Sequence, residues 1–305
     1  MKILVTGGAG FIGSHIADAY INQGHQVSII DNLSTGVKTN LNPQAKFYEL
    51  DIRSPEAAQV IRDEQPDLIN HHAAQIRVDI AAKDPILDAQ INILGFLNLL
   101  QAAKDVKSVK KIILASTGGA MYGPKSTPFV ETMLPAPLSP YGISKLADEH
   151  YLYFYREQYG IDYAALRYAN VYGPRQNPHG EAGVIAILCD NFLTSKQPVI
   201  NGDGKQTRDY VYISDVVKAN LLATEKDIIG EYNIGTGIET DVNQIYDLVR
   251  QEFNSQQQAV HRPPRPGEQQ TSSLDYSLAK DELGWQPSIA LTDGIHSTVA
   301  FFKNR

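Results

Sequence analysis

At 305 residues the chain can hold one large core or two coupled lobes, and its composition, 43% apolar and 20% charged, is that of a folded globular protein. A net charge of −7 gives no reason to expect nucleic acid or an anionic membrane as a partner. The single cysteine, Cys189, leaves no disulfide framework and no thiolate zinc site, which makes the cytoplasm the expected compartment.

Read in order, residues 2–6 form a short apolar strand, followed by glycines at 7, 8, 10 and 13. A helical pattern over 11–23 ends at Gly24, and a second strand over 26–31 ends on Asp31. The chain is thus expected to open on a strand and not on a signal peptide. Further strands are expected at 46–49, 67–70, 111–116 and 162–168. Helices are expected at 55–64, 85–104 and 140–159, the last closed by Gly160. No apolar run is expected to match the ~20 residues of a membrane span. Such alternation predicts an α/β fold with a doubly wound parallel sheet, Rossmann-like, over 1–170. After Asn170 the rhythm breaks at Pro174, Pro178, Gly180 and Gly183. Helices over 184–195 and 242–253, and Pro-rich loop from Arg262 to Gly267, then suggest a smaller, irregular α/β lobe over 171–305 that still lends segments to the sheet.

Gly7, Gly10 and Gly13 have the spacing G-x-x-G-x-x-G between a strand and a helix, with Asp31 ~20 residues on. Glycine there lets the backbone approach a pyrophosphate and lets helix and strand pack closely. A carboxylate at the end of the second strand accepts hydrogen bonds from both ribose hydroxyls and repels a 2′-phosphate. No Arg or Lys lies between Asp31 and Lys38, so NAD is expected over NADP. Asp51 and Ile52, after the third strand, are expected near the adenine.

Tyr141 and Lys145 lie four residues apart, on one face of the helix over 140–159. An ammonium beside a phenol is expected to lower its pKa and make it a proton acceptor. Ser116 and Thr117 end the fifth strand, where open α/β sheets place their ligands. His71 and His72 are neighbours in a strand and point to opposite faces, so they are expected to be buried or to line the cofactor, and no metal is expected. Arg77, Asp79 and Lys83 read as a solvated loop, and residues 256–258 as another.

T-G-G-A-G-F-I-G at 6–13, D-N-L-S-T-G at 31–36, Y-x-x-x-K at 141–145 and R-Y-A-N-V-Y-G-P-R at 167–175 together resemble the extended short-chain dehydrogenase/reductase family. Within it the chain is most similar to nucleotide-sugar 4-epimerases of the UDP-galactose 4-epimerase type, over nearly its whole length. The resemblance implies that Tyr141 takes the proton of the sugar 4-hydroxyl and Lys145 holds the nicotinamide ribose. Phe11, Ile12, Asn32, Ala73, Ala74 and Asn92 join the glycines, Asp31, Asp51 and Ile52 as implied cofactor contacts. Asn170, Arg208 and Arg265 would hold the diphosphate, Glu268 the uridine ribose, and Ser272 would wall the C2 substituent. A small residue there leaves room for an N-acetyl group, so UDP-GlcNAc and UDP-GalNAc are expected substrates beside UDP-glucose and UDP-galactose. A homodimer is implied through the two long helices.

One position departs from the family pattern: Gly118 stands where a Ser or Thr is expected, so Thr117, then Ser116, or else a water, must supply that hydroxyl. The absence of an acid between Ser116 and Tyr122 argues against the dehydratases and decarboxylases of the family. The rival readings are a UDP-glucuronate 4-epimerase, with Arg175 as a nearby cation for the C6 carboxylate, a sugar-nucleotide reductase or decarboxylase, and a non-enzymatic NAD sensor.

Overall fold

The structure, a computed structural model, describes residues 1–179, 183–264 and 269–305. The strands are β1 (Lys2–Thr6), β2 (Gln26–Asp31), β3 (Lys46–Glu49), β4 (Leu68–His71), β5 (Lys111–Thr117), β6 (Asp162–Tyr168), β7 (Asn170–Tyr172), β8 (Val199–Asn201), β9 (Thr207–Arg208), β10 (Tyr210–Tyr212), β11 (Gly230–Ile234), β12 (Thr240–Asp241) and β13 (Val260–Arg262). The helices are α1 (Phe11–Asn22), α2 (Pro55–Glu64), α3 (Val78–Lys83), α4 (Pro85–Ala89), α5 (Gly95–Asp105), α6 (Pro140–Tyr159), α7 (Val184–Leu193), α8 (Ile213–Glu225), α9 (Val242–Glu252) and α10 (Leu291–Lys303).

Seven strands pair in parallel in the order β11-β6-β5-β4-β1-β2-β3. The chain runs outward from β1 through β2 and β3, then returns to place β4 on the other side of β1. That reversal opens a crevice at the carboxyl ends of β1 and β4, where sheets of this kind take their ligands. Side chains alternate across the sheet. On β5, Ile112 and Leu114 enter the core formed with α2, α5 and α6, while Ile113 enters the core formed with α1 and α8. A third core gathers α7, α9 and α10 around Tyr172 and Tyr210. β11 crosses from that later part of the chain to close the sheet edge beside β6.

The helix that carries the Tyr–Lys pair has clear local causes. Ser139 accepts a hydrogen bond from Gly142 N, Pro140 takes the first turn, and Gly160 at φ 69° ends the helix. Three expectations need correction. Val78–Lys83 is a short helix and not a solvated loop, because Asp79 pairs with Arg77 in its first turn and Ala81 is buried. The segment Pro85–Asp105, interrupted by a π-helical stretch at Gln90–Leu94, is long and apolar enough by length and composition to cross a membrane. In this fold Phe96, Leu99 and Leu100 turn one side of it into the core against α2. Arg262, expected in loop, ends β13.

Candidate active site

The first half of the crevice is made of main chain. Gly7 has φ 71°, and a Cβ there would lie 2.6 Å from Ala73 N, so β1 can turn under the end of β4 only with glycine. A Cβ on Gly13 would lie 2.3 Å from Gly7 O. The turn therefore lies tight against the first turn of α1, whose N-cap, Gly10, supplies no side-chain cap. The amides of that first turn are left as an anion cradle at a helix N-terminus. Asp31 lies at the end of β2, buried, with Ala9 N and Leu33 N donating to its carboxylate; burial raises its pKa above the ordinary range. Asn32 Nδ2 donates to Asp51, and Arg53 holds the Asp51 carboxyl down to about 2 through its hydrogen bonds. The cradle and the carboxylate fit a dinucleotide's pyrophosphate and ribose.

The expected cofactor contacts lie in different surroundings. Phe11 and Ile12 line the cleft. Ala73 N donates to Thr6 Oγ1, at the turn beneath Gly7, and Ala74 follows it, half-buried. Ile52 is in the core, packed where a side chain on Gly95 would otherwise be. Asn92 is fully buried, and its amide is spent on the backbone N–H and C=O of Gln75 and on Asp88. It braces the loop after β4 instead of offering a free group. His71 and His72 do diverge: His71 meets Thr6 Oγ1 and stacks on Phe96, and His72 meets the Tyr168 hydroxyl. Burial lowers both pKa values, that of His72 to about 3. Among the described residues no three His, Cys, Asp or Glu side chains gather as a metal site.

The second half of the crevice is made of side chains. Phe11, Ile12, Thr117, Tyr141, Tyr168, Asn170 and Gln176 line one continuous cleft. A larger depression around Lys2, His25, Lys46 and Glu64 lies at the opposite, amino-terminal edge of the sheet, away from the switch point. Tyr141 and Thr117 line the cleft together, and the Thr117 hydroxyl acts on the Tyr141 phenol to lower its pKa. Ser116 also lines the cleft, but its hydroxyl donates to Glu149 Oε1 at 2.6 Å. Its proton is thus committed to Glu149. A Cβ on Gly118 would lie 2.4 Å from Leu274 Cδ1, so a side chain there requires Leu274 to shift.

The expected lowering of the Tyr141 pKa is not what the structure has. Burial raises it, and the negative charges of Asp88 and Asp148 raise it further, with the Thr117 hydrogen bond opposing. Lys145 is itself only 2% exposed, and its ammonium is 3.5 Å from Asp148 Oδ2. Behind it Arg167 grips Glu149 with Nε at 3.0 Å and Nη2 at 2.7 Å, and donates to the Tyr122 hydroxyl. Asp88, Asp148, Glu149 and Arg167 were not singled out from the sequence. The signal was there in Lys145-Leu-Ala-Asp-Glu149, two acids on the buried side of an amphipathic helix.

Asn170 is exposed at the start of β7 and lines the cleft, its N–H held by Asp209 O. Arg208 is half-buried on β9 and donates to Thr207 O. Ser272 is buried in the extended segment anchored by Thr207 N on Gln270 O and by Phe129 N on Ser273 O. Arg265 and Glu268 lie outside the described residues. Arg175 turns to α1, where it pairs with Asp18 at 2.8 Å and donates to Ser14 Oγ. Its charge is thus already matched.

A family model described as the NAD dependent epimerase/dehydratase family matches residues 3–235. The UDP-glucose 4-epimerase of Mycolicibacterium smegmatis is 40% identical over 312 residues, covering 100% of this chain and 99% of that protein. A crystal structure of a UDP-glucose 4-epimerase from Thermotoga maritima with UDP-glucose superimposes with a TM-score of 0.97 at 48% identity, covering 100% of this chain and 99% of that one. The UDP-glucose 4-epimerase of Thermus thermophilus, in complex with NAD, superimposes with a TM-score of 0.94 at 40% identity, covering 99% of each chain.

Proposed function

This chain belongs to the NAD dependent epimerase/dehydratase family, and on that premise we propose that it inverts C4 of a UDP-sugar by NAD-dependent epimerisation through a transient 4-keto sugar. The observation that carries the reading is the meeting of Tyr141 and Thr117 in the cleft that Phe11 and Ile12 of α1 also line. Gly7, Gly10 and Gly13 with the first turn of α1 would hold the pyrophosphate, and Asp31 the adenosine ribose. NAD held there would supply the hydride acceptor and donor that C4 inversion needs.

The protein's part is proton handling and orientation. Tyr141 accepts the O4 proton and gives it back, and Thr117 steadies that hydroxyl in place of the residue missing at Gly118. Lys145 orients the nicotinamide ribose. Asn170 and Arg208 hold the diphosphate, so that remote binding energy positions a sugar free to turn over between the two transfers. Ser272, small, leaves room for an N-acetyl group. The pairing of Arg175 with Asp18 leaves that cation engaged and counts against a C6 carboxylate as the favoured substituent.

Ile86, Leu94, Ile143, Tyr153 and Phe154 expose apolar surface on α4, the π segment and α6, which supports a homodimer through these helices. We infer a cytoplasmic enzyme that works without nucleic acid or membrane. The experiment is a panel of UDP-sugars incubated with purified protein and no added cofactor, products followed by NMR. C4 inversion of UDP-glucose and of UDP-GlcNAc is expected, with Ser272→Tyr removing only the second. Stoichiometric consumption of added NADH, or turnover of UDP-glucuronate alone, would overturn the reading.

A further inference from the structure

Tyr141, Lys145 and Asp148 follow the i, i+4, i+7 spacing of a single helix face. Around them lie two other buried acids, and each is well satisfied. Glu149 is gripped by Arg167 and by Ser116 Oγ. Asp88 accepts from Ser144 Oγ, Gln75 Nε2 and Asn92 Nδ2. Asp148 differs from both. It is fully buried, and apart from the ion pair with Lys145 neither carboxylate oxygen has a hydrogen-bond partner among the described residues. A buried carboxylate is ordinarily hydrogen-bonded, and a bare one is retained against a cost. Its counter-charge is the lysine of the site.

We propose that Asp148 is a positioning residue for this reaction: it fixes the Lys145 ammonium on α6 and holds part of its positive charge away from the Tyr141 hydroxyl. The proposal rests on the reading of Tyr141 as proton acceptor and Lys145 as its neighbouring cation. An ammonium shared between a carboxylate and a phenol favours phenolate less than one facing the phenol alone. The other charged and titratable groups here are accounted for. Arg167 neutralises Glu149, Asp88 is held by three donors, and His71 and His72 are kept neutral by burial. Burial pushes the Asp148 carboxyl up to about 7, with Lys145 pulling the other way and Glu149 and Asp88 adding to the rise. Asp148 therefore changes charge near neutrality. Ionised, it restrains Lys145; protonated, it releases that charge toward Tyr141.

The test uses the NAD-loaded protein labelled with 13Cζ-tyrosine, wild type and Asp148→Asn, with Tyr141→Phe to assign the resonance. Tyr141 in Asp148→Asn is expected to ionise about one pH unit lower, the size of effect a single close charge exerts. The acid limb of kcat against pH should move down by the same amount, roughly tenfold in relative rate on that limb. A merely structural role would change melting or NAD content and leave both curves in place, and superimposable curves would overturn the proposal. If Asp148→Asn does not fold, the wild type decides through 13Cγ-aspartate labelling. A resonance titrating near neutrality in step with the Tyr141 shift is expected; a flat one overturns it. Absence of turnover on every UDP-sugar would sink the functional reading, while the Tyr141 titration would still decide the coupling.

Discussion

The two halves of the crevice are built from opposite materials. Around Gly7–Gly13 the surface is backbone, and a single added carbon atom would collide with it. Along α6 the surface rests on buried charges, and there a single lost partner leaves an uncompensated ion. The first half is specified by what is absent from the side chains, the second by what is matched between them. A backbone site of this kind is local, held within one strand–turn–helix unit. The α6 site draws Asp88 from α4, Arg167 from β6 and Ser116 from β5, so it exists only when the sheet and helices have assembled.

The sharpest break in the second half is Arg167→Met. The pair it forms with Glu149 is 5% and 4% exposed, and removing the cation should cost ~3–5 kcal/mol of stability, because Glu149 is left buried and charged. Denaturant unfolding measures it, and a variant with the wild-type midpoint would show that the cluster is not what holds α6 to β6. Gly13→Ala breaks the first half instead. Its Cβ must push the helix from the turn, and NAD should bind roughly tenfold to a hundredfold more weakly, ~1–3 kcal/mol, by calorimetry on stripped protein. Wild-type affinity would mean that the cradle can relax.

The smallest effect sharpens the contrast through pH. The folded-state pKa of Asp148 is raised to about 7, whereas an unfolded Asp titrates near ~3.9, so the folded protein holds this proton more tightly. Asp148 thus costs least below the unfolded value, and stability falls as pH rises through that window to about 7. Asn cannot titrate, so the melting temperature of Asp148→Asn should gain on wild type by a few degrees across the window and then level off. A constant difference from acid to neutral pH would contradict this.

Much of the fold could be read along the chain. The strands of the first half and α6 lie where apolar periodicity, Pro140 and Gly160 put them. Gly118 departs from the family pattern, and Leu274, from far along the chain, packs its side chain into the space beside it. Elsewhere the fold adds what spacing does not show. The Ile52 side chain packs in the core, and the Asn92 amide braces the loop after β4. Arg175 is consumed by Asp18. Spacing reports which residues share a face, not which partners reach that face first.

The sequence by itself determined the glycine cradle, the acid at the end of β2 and the placing of Tyr141 and Lys145 on one helical face, because each depends on backbone geometry within a few residues. Only the tertiary structure decided the direction of the Tyr141 pKa and the partner of the Ser116 hydroxyl. Burial and the charges of Asp88 and Asp148 set the first, and the approach of Glu149 from α6 sets the second. Electrostatics in a buried site is a sum over neighbours, and those neighbours are assembled by the fold.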